Sequence, residues 1–282
     1  MTRIKNALKG SPLHLVIIGI ALVWSIPSLG LLVSSFRPAR EIAASGWWTV
    51  VKPPIVLTTE LYQEALTRTG MADSFLNSLF IAIPATVIPI MIAAFAAYAF
   101  AWLDFPGRNV LFTFVIGLLV VPLQMTFIPI LRVYNALGLT GTFPAIWLAH
   151  AAYGLPFAIY LLRNFFGSLP RDLFESAFLD GASSFDIFFR IVMPLSIPSL
   201  ASLVIFQFMW VWNDLLVALI YLGGTPSVAP MTVTISNLVN SLGGNWQILT
   251  AAAFISMMLP LLVFFALQRY FVKGVLAGSI KA

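Results

Sequence analysis

One carboxylate stands alone in apolar surroundings. Asp214, which follows Trp212 and Asn213, is the only acid after Asp186. A charge at the centre of a membrane helix costs about 2.5–3.5 kcal/mol on an insertion scale, so such a residue faces a cavity or a partner group. It would serve either as a proton relay or as a structural, hydrogen-bonding gate. No second acid lies in any apolar run, so a relay has no next station, and structure or gating is the reading adopted. His14 and His150 are the only histidines. A metal site needs several converging ligands, and the sequence supplies none near either. With no cysteine, disulfides, thiolate ligands and thiol nucleophiles are excluded. Gln124, Gln207 and Asn213 are polar groups within apolar runs, suited to lining a path for a polar solute or to bonding between helices. Gln124, Asn213 and Asp214 are candidates for a gate or substrate path. Trp210 and Trp212 suit packing and stacking on a solute equally. Each lysine follows Ile or Val, or Leu8, so the Gly-Lys pair of a phosphate-cradling loop is missing. No catalytic set and no cofactor is expected.

The elements that must position these residues follow from composition. Of 282 residues, 60% are hydrophobic and 9% charged, against about 25% charged in a soluble domain. Mean hydropathy is +0.98. Lipid must therefore be the solvent for much of the chain, which is expected to be all-α and polytopic. The net charge of +5 comes from scattered residues without a basic block, which argues against a nucleic-acid partner. A bilayer crossing needs about 20 apolar residues. Uncharged runs and the breaker Gly223-Gly224-Thr225-Pro226 give six expected helices, at about 13–36, 75–102, 110–131, 143–163, 191–222 and 249–268. The first run is too long for a signal peptide's apolar core and is expected to be an uncleaved helix.

Arg3, Lys5, Lys9, Arg108, Arg163, Arg171, Arg190, Arg269, Lys273 and Lys281 would all lie on one side of the membrane. The positive-inside rule makes that side cytoplasmic, with the tails 1–12 and 269–282 and the loop 164–190. Pro84, Pro89, Pro122 and Pro129 fall inside apolar runs, either as packing kinks or as bends around a pathway. Ala93, Ala94, Ala96, Ala97 and Ala99 offer a small-residue surface for close helix contact.

The loop 164–190 carries the strongest signal. Pro170 suits a helix's first turn, and Asp172 and Glu175 complement its positive end. Leu173, Phe174, Ala177 and Phe178 recur at helical spacing. Gly181 suits the left-handed position past the helix end, and Ser183 with Asp186 resembles a capping box opening the next helix. An exposed apolar helix face needs a partner. The acids Asp172, Glu175, Asp180 and Asp186 would be repelled by anionic lipid, so a protein groove is favoured.

The run Glu175-Ser-Ala-Phe-Leu-Asp180-Gly181-Ala182, with Phe185, Phe188, Pro194 and Pro198 downstream, resembles the coupling loop of ABC importer permeases. Ser176 stands where that family usually has Ala. The tail Arg269 to Lys281, Asn77-Ser-Leu and Trp212-Asn213-Asp214 are similar to maltose-type sugar permeases, and the chain resembles the MalG-like member of a two-permease pair. The resemblance implies a six-helix importer fold in a prokaryotic plasma membrane. It implies a second homologous permease, two ATPase subunits that hydrolyse the ATP, an extracytoplasmic sugar-binding protein and a sugar substrate. It places Leu173, Phe174, Glu175, Ala177, Phe178, Asp180, Gly181, Ala182 and Phe185 in a cleft of the ATPase. The uncharged segment 228–246, with Val228, Met231, Ile235, Leu238 and Leu242 on one face, is either an interfacial helix or an outer loop touching the binding protein. The rival class, an ion-coupled secondary transporter, usually shows internal repeats, and no clear repeat is found.

Overall fold

The computed structural model describes residues 2–238 and 246–279, with side chains from 12 to 238 and from 246 to 270. Leu242, Lys281 and the side chains of Arg3, Lys5, Lys9 and Lys273 lie outside the described residues. Within them all regular structure is helical. In chain order the α-helices are α1 (Thr2–Ser35), α2 (Ala39–Ala44), α3 (Glu60–Arg68), α4 (Met71–Trp102), α5 (Arg108–Gly117), α6 (Leu123–Ala136), α7 (Phe143–Phe166), α8 (Arg171–Leu179), α9 (Ser184–Ile187), α10 (Met193–Leu195), α11 (Ile197–Trp212), α12 (Leu216–Leu222), α13 (Met231–Leu238) and α14 (Trp246–Ser279).

Among the described residues, four stretches are long and apolar enough to cross a bilayer unaided: Pro12–Ser35, Met71–Trp102, Phe143–Phe166 and Trp246–Tyr270. Two further apolar helix pairs are bent, Arg108–Val120 with Leu123–Ala136 by 100° and Ser184–Leu195 with Ile197–Trp212 by 73°. The expected spans 110–131 and 191–222 fall on these bent pairs, not on straight helices. Local chemistry explains both. Val121 is extended, as a residue before proline prefers. Ser196, flanked by Pro194 and Pro198, takes a non-helical ψ of 2°. The second pair ends at Trp212, and α12 begins only after Asn213 and Asp214.

Two compact units make up the fold. In the first, residues 1–72 with 235–257, Arg37 is a buried staple. Its guanidinium donates to the carbonyls of Ser45 and Glu41 and to the hydroxyls of Ser45 and Thr49. Ser35 and Tyr62 share a hydroxyl hydrogen bond of 2.7 Å.

The second unit, residues 73–234 with 258–282, packs α4 against α7 and α11 through small residues. Ala93, Ala94, Ala97, Ala158, Leu162 and Leu203 are buried in one cluster. Pro84 and Pro89 bring no N–H to α4, so the carbonyls four residues earlier lose their helical donor. Both are taken up by neighbours. Trp147 Nε1 donates to Phe80 O at 2.8 Å, and Gln207 Nε2 donates to Ala85 O at 3.1 Å. Gly154 makes room for that amide, since a Cβ there would lie 2.4 Å from Gln207 Oε1. Gln207 is thus a bond between helices.

Candidate functional site

The loop after α7 is built as two short helices around a sharp turn. Helix α8 stops at Asp180, and Gly181 takes φ +80°. Its N–H donates to Phe178 O at 3.0 Å, and the N–H of Ala182 donates to Ala177 O at 2.9 Å. That bond pair is a Schellman turn. Ala177 and Ala182, the two residues such a turn brings together, both pack on the apolar core. Ser183 then opens α9 with a full capping box. Its hydroxyl accepts from Asp186 N, and the Asp186 carboxylate accepts from Ser183 N. A five-residue π-turn, Phe188–Val192, leads on towards α11.

The expected apolar face of α8 is divided between two directions. Phe174 is only 2% exposed and Ala177 is half-buried. Phe174 lies face to face on Trp102, with ring centroids 3.5 Å apart and planes 15° from parallel. Trp102 in turn donates through Nε1 to Phe166 O at 2.9 Å, at the carboxyl end of α7. Ile187 and Phe188 are buried beside them, and Phe188 stacks on Phe95 with centroids 4.7 Å apart. Phe174, Ala177 and Ala182 therefore fasten the loop to its own chain. A nine-residue helix with apolar groups on both sides satisfies the same spacing rule, which is why sequence put all four residues on one face.

What faces away is Leu173, Phe178 at 52%, Leu179 at 89% and Phe185 at 71% exposed. Glu175, Asp172 and Asp180 are exposed among them. Four large apolar side chains are thus left exposed on a short, internally anchored helix pair. Leu179 is the residue that sequence reasoning missed. Its position at the end of α8 hid it, and no local signal marked its outward direction.

The gate candidates are placed differently. Gln124, in the first turn of α6, is exposed. Asn213 turns back on its own helix and donates to Met209 O at 2.7 Å. Asp214 caps α12, accepting from the N–H groups of Val217 at 3.2 Å and Ala218 at 3.0 Å. Its other neighbour is His150, whose Nε2 lies 3.7 Å from Asp214 Oδ2. That pairing joins residues from α7 and the α11–α12 break and left no trace in the sequence.

Comparison with known proteins identifies the family. Residues 89–277 match the family model described as binding-protein-dependent transport system inner membrane component. The osmoprotective compounds uptake permease protein GgtD of Synechocystis sp. is 60% identical over 274 residues, covering 96% of this chain and 92% of that one. The alpha-glucoside transport system permease protein AglG of Rhizobium meliloti is 42% identical over 377 residues, covering 98% of this chain and 99% of that one. A crystal structure of a bacterial ABC transporter that imports the acidic polysaccharide alginate superposes with a TM-score of 0.73. It is 21% identical, covering 93% of this chain and 96% of that one. These relatives give the ion-coupled alternative no support. The chain is an all-α, polytopic membrane protein and belongs to the family of binding-protein-dependent transport system inner membrane components.

Proposed function

We propose that this chain is one of two permease subunits in an ATP-driven importer of a di- or oligosaccharide or related glycoside, of the α-glucoside or osmoprotectant type. The observation that carries the substrate class is the pair of relatives at 60% and 42% identity, one named for osmoprotective compounds and the other for alpha-glucosides. Its partners are a second homologous permease, two ATPase subunits and an extracytoplasmic sugar-binding protein. ATP hydrolysis belongs to the ATPase subunits. The spans alternate between inward- and outward-open states in a prokaryotic plasma membrane, with both termini in the cytoplasm.

The outward set Leu173, Phe178, Leu179 and Phe185, ringed by Glu175 and Asp180, docks in the ATPase cleft. Phe174, Ala177, Gly181 and Ala182 aim and anchor it. An apolar centre with a charged rim is the usual anatomy of a specific protein interface. Because Phe174 is locked on Trp102, a pull on α8 is transmitted directly to the ends of α4 and α7. Gln124, Asn213 and Asp214 are assigned to the gate and the substrate path.

The test is reconstitution of the four-part complex with its binding protein, followed by uptake of a panel of neutral α-glucosides and acidic oligosaccharides. Uptake of at least one neutral glucoside, dependent on ATP and on the binding protein, is expected. Uptake confined to the acidic sugars would remove the substrate assignment. Uptake without ATP would remove the importer reading.

A further inference from the structure

Two short sequence motifs, 77–79 and 212–214, meet on one segment of chain. Asn77 Nδ2 donates to the carbonyls of Ser227 at 3.1 Å and Ala229 at 3.2 Å. The Ser78 hydroxyl accepts from Met231 N at 2.8 Å, and Ser74 shares a 2.6 Å hydrogen bond with Thr234. From the other motif, the carbonyl of Asp214 accepts from Thr232 Oγ1 at 2.6 Å. Trp212 meets Phe75 edge to face, with ring centroids 5.7 Å apart. The segment 227–234 is thereby strapped both to the start of α4 and to the break between α11 and α12.

His150 lies beside this strap. Its side chain is fully buried, and neither ring nitrogen has a hydrogen-bond partner. At 3.7 Å from Asp214 Oδ2, Nε2 is beyond hydrogen-bond reach. A cavity of about 10 Å³, lined by Ser78, Ile146, His150, Trp212, Asp214 and Pro230, has room for about one water. Buried polar groups left unpaired are costly, and native structures keep few of them. A contact that is unmade in one arrangement and made in another is what biases a two-state equilibrium. An approach of roughly half an ångström or more between Oδ2 and Nε2 would bring Asp214 onto His150.

We propose that Asn77, Asp214 and His150 form a positioning joint: engagement of the sugar-loaded binding protein at the exposed turn 223–227 is passed through the strap 227–234 into α4, α7 and the α11–α12 break. In the engaged state His150 closes on Asp214, and Asn77 keeps the strap in register. The inference rests on the importer reading, in which this end of the second unit faces the binding protein.

ATPase activity of the reconstituted complex, with and without sugar-loaded binding protein, tests it. His150→Phe keeps the ring that meets Trp210 edge to face and removes both nitrogens. Asn77→Ala cuts the strap on the opposite side. Each variant is expected to retain its ATPase subunits and basal hydrolysis at wild-type levels. Stimulation by the binding protein should fall about tenfold, equivalent to about 1.4 kcal/mol of activation free energy. The loss should appear in the maximal rate and not in the half-saturating concentration of binding protein. His150→Asn, which restores a donor, should recover part of the stimulation.

Wild-type stimulation in both His150→Phe and Asn77→Ala overturns the joint. A loss confined to the half-saturating concentration also overturns it, because those residues would then only shape the docking surface. If His150→Phe does not assemble, Asn77→Ala decides alone by the same criteria. Failure of the wild-type complex to respond to any loaded binding protein would instead strike the importer reading.

Discussion

Pro89 and Gln207 are complementary halves of one hydrogen bond: the proline withholds the helical donor from Ala85 O, and the glutamine amide supplies it at 3.1 Å. Gln207→Leu should therefore destabilise the assembled protein by about 1–3 kcal/mol, the range for leaving one buried partner unpaired. In a Pro89→Ala background the helix provides its own N–H, and the same change should cost about 1 kcal/mol less. A double-mutant cycle on the thermal stability of the purified complex measures the difference. Strict additivity would show that the two residues are independent.

Phe174 and Phe178 sit four residues apart and should fail in different ways. Phe174→Ala empties a buried site and should lower stability by about 3–5 kcal/mol. Phe178→Ala and Leu179→Ala should leave stability near wild type and weaken ATPase retention, by roughly thirtyfold for a loss of about 2 kcal/mol at an interface anchor. Unfolding midpoints set beside the amount of ATPase held on tagged protein separate the two. Full retention in both outward variants would place the docking surface elsewhere. Ala177→Trp should also block retention, by prising α8 off its own core.

Gly181 has open space around it, so any substitution penalty comes from its positive φ. A side chain in that region costs about 1–2 kcal/mol, and a β-branched one is the worst fit. Gly181→Val should misaim α9 and cut transport per ATP hydrolysed, while membrane insertion persists. Gly181→Asn should be tolerated better. Equal transport by all three would make the turn dispensable.

The proposed orientation puts Gly224 outside. A reporter or protease site placed there should read the extracytoplasmic face, and one placed at Ser168 the cytoplasmic face. The reverse pattern would invert the topology.

The sequence yielded what is local. Charge spacing gave the apolar runs, because every charge in lipid must be justified. Ser183 with Asp186, and Gly181, were legible because their bonds close within a few residues. The direction of Phe174 was hidden, since it depends on Trp102 at the end of another helix. The bends at Val121 and Ser196 sit beside prolines that were visible, although a proline marks the place of a bend and not its angle, 100° and 73°. The His150–Asp214 pair and the Gln207 bond reach across distant stretches of chain, and no periodicity announces such pairs.

The elbow at Val121–Pro122 restricts what surrounds it. Each arm of that bent pair, Arg108–Val120 or Leu123–Ala136, reaches only about 20 Å at about 1.5 Å per residue, short of the roughly 30 Å of hydrocarbon. Taken as one broken span, the pair carries its corner at depth in the membrane. Val120 there is 81% exposed. Irregular backbone bared to acyl chains is not tolerated, whereas backbone wetted by a channel or roofed by another polypeptide is. Lipid tails are thus the one neighbour this corner refuses, and its open side suits water or the surface of another polypeptide.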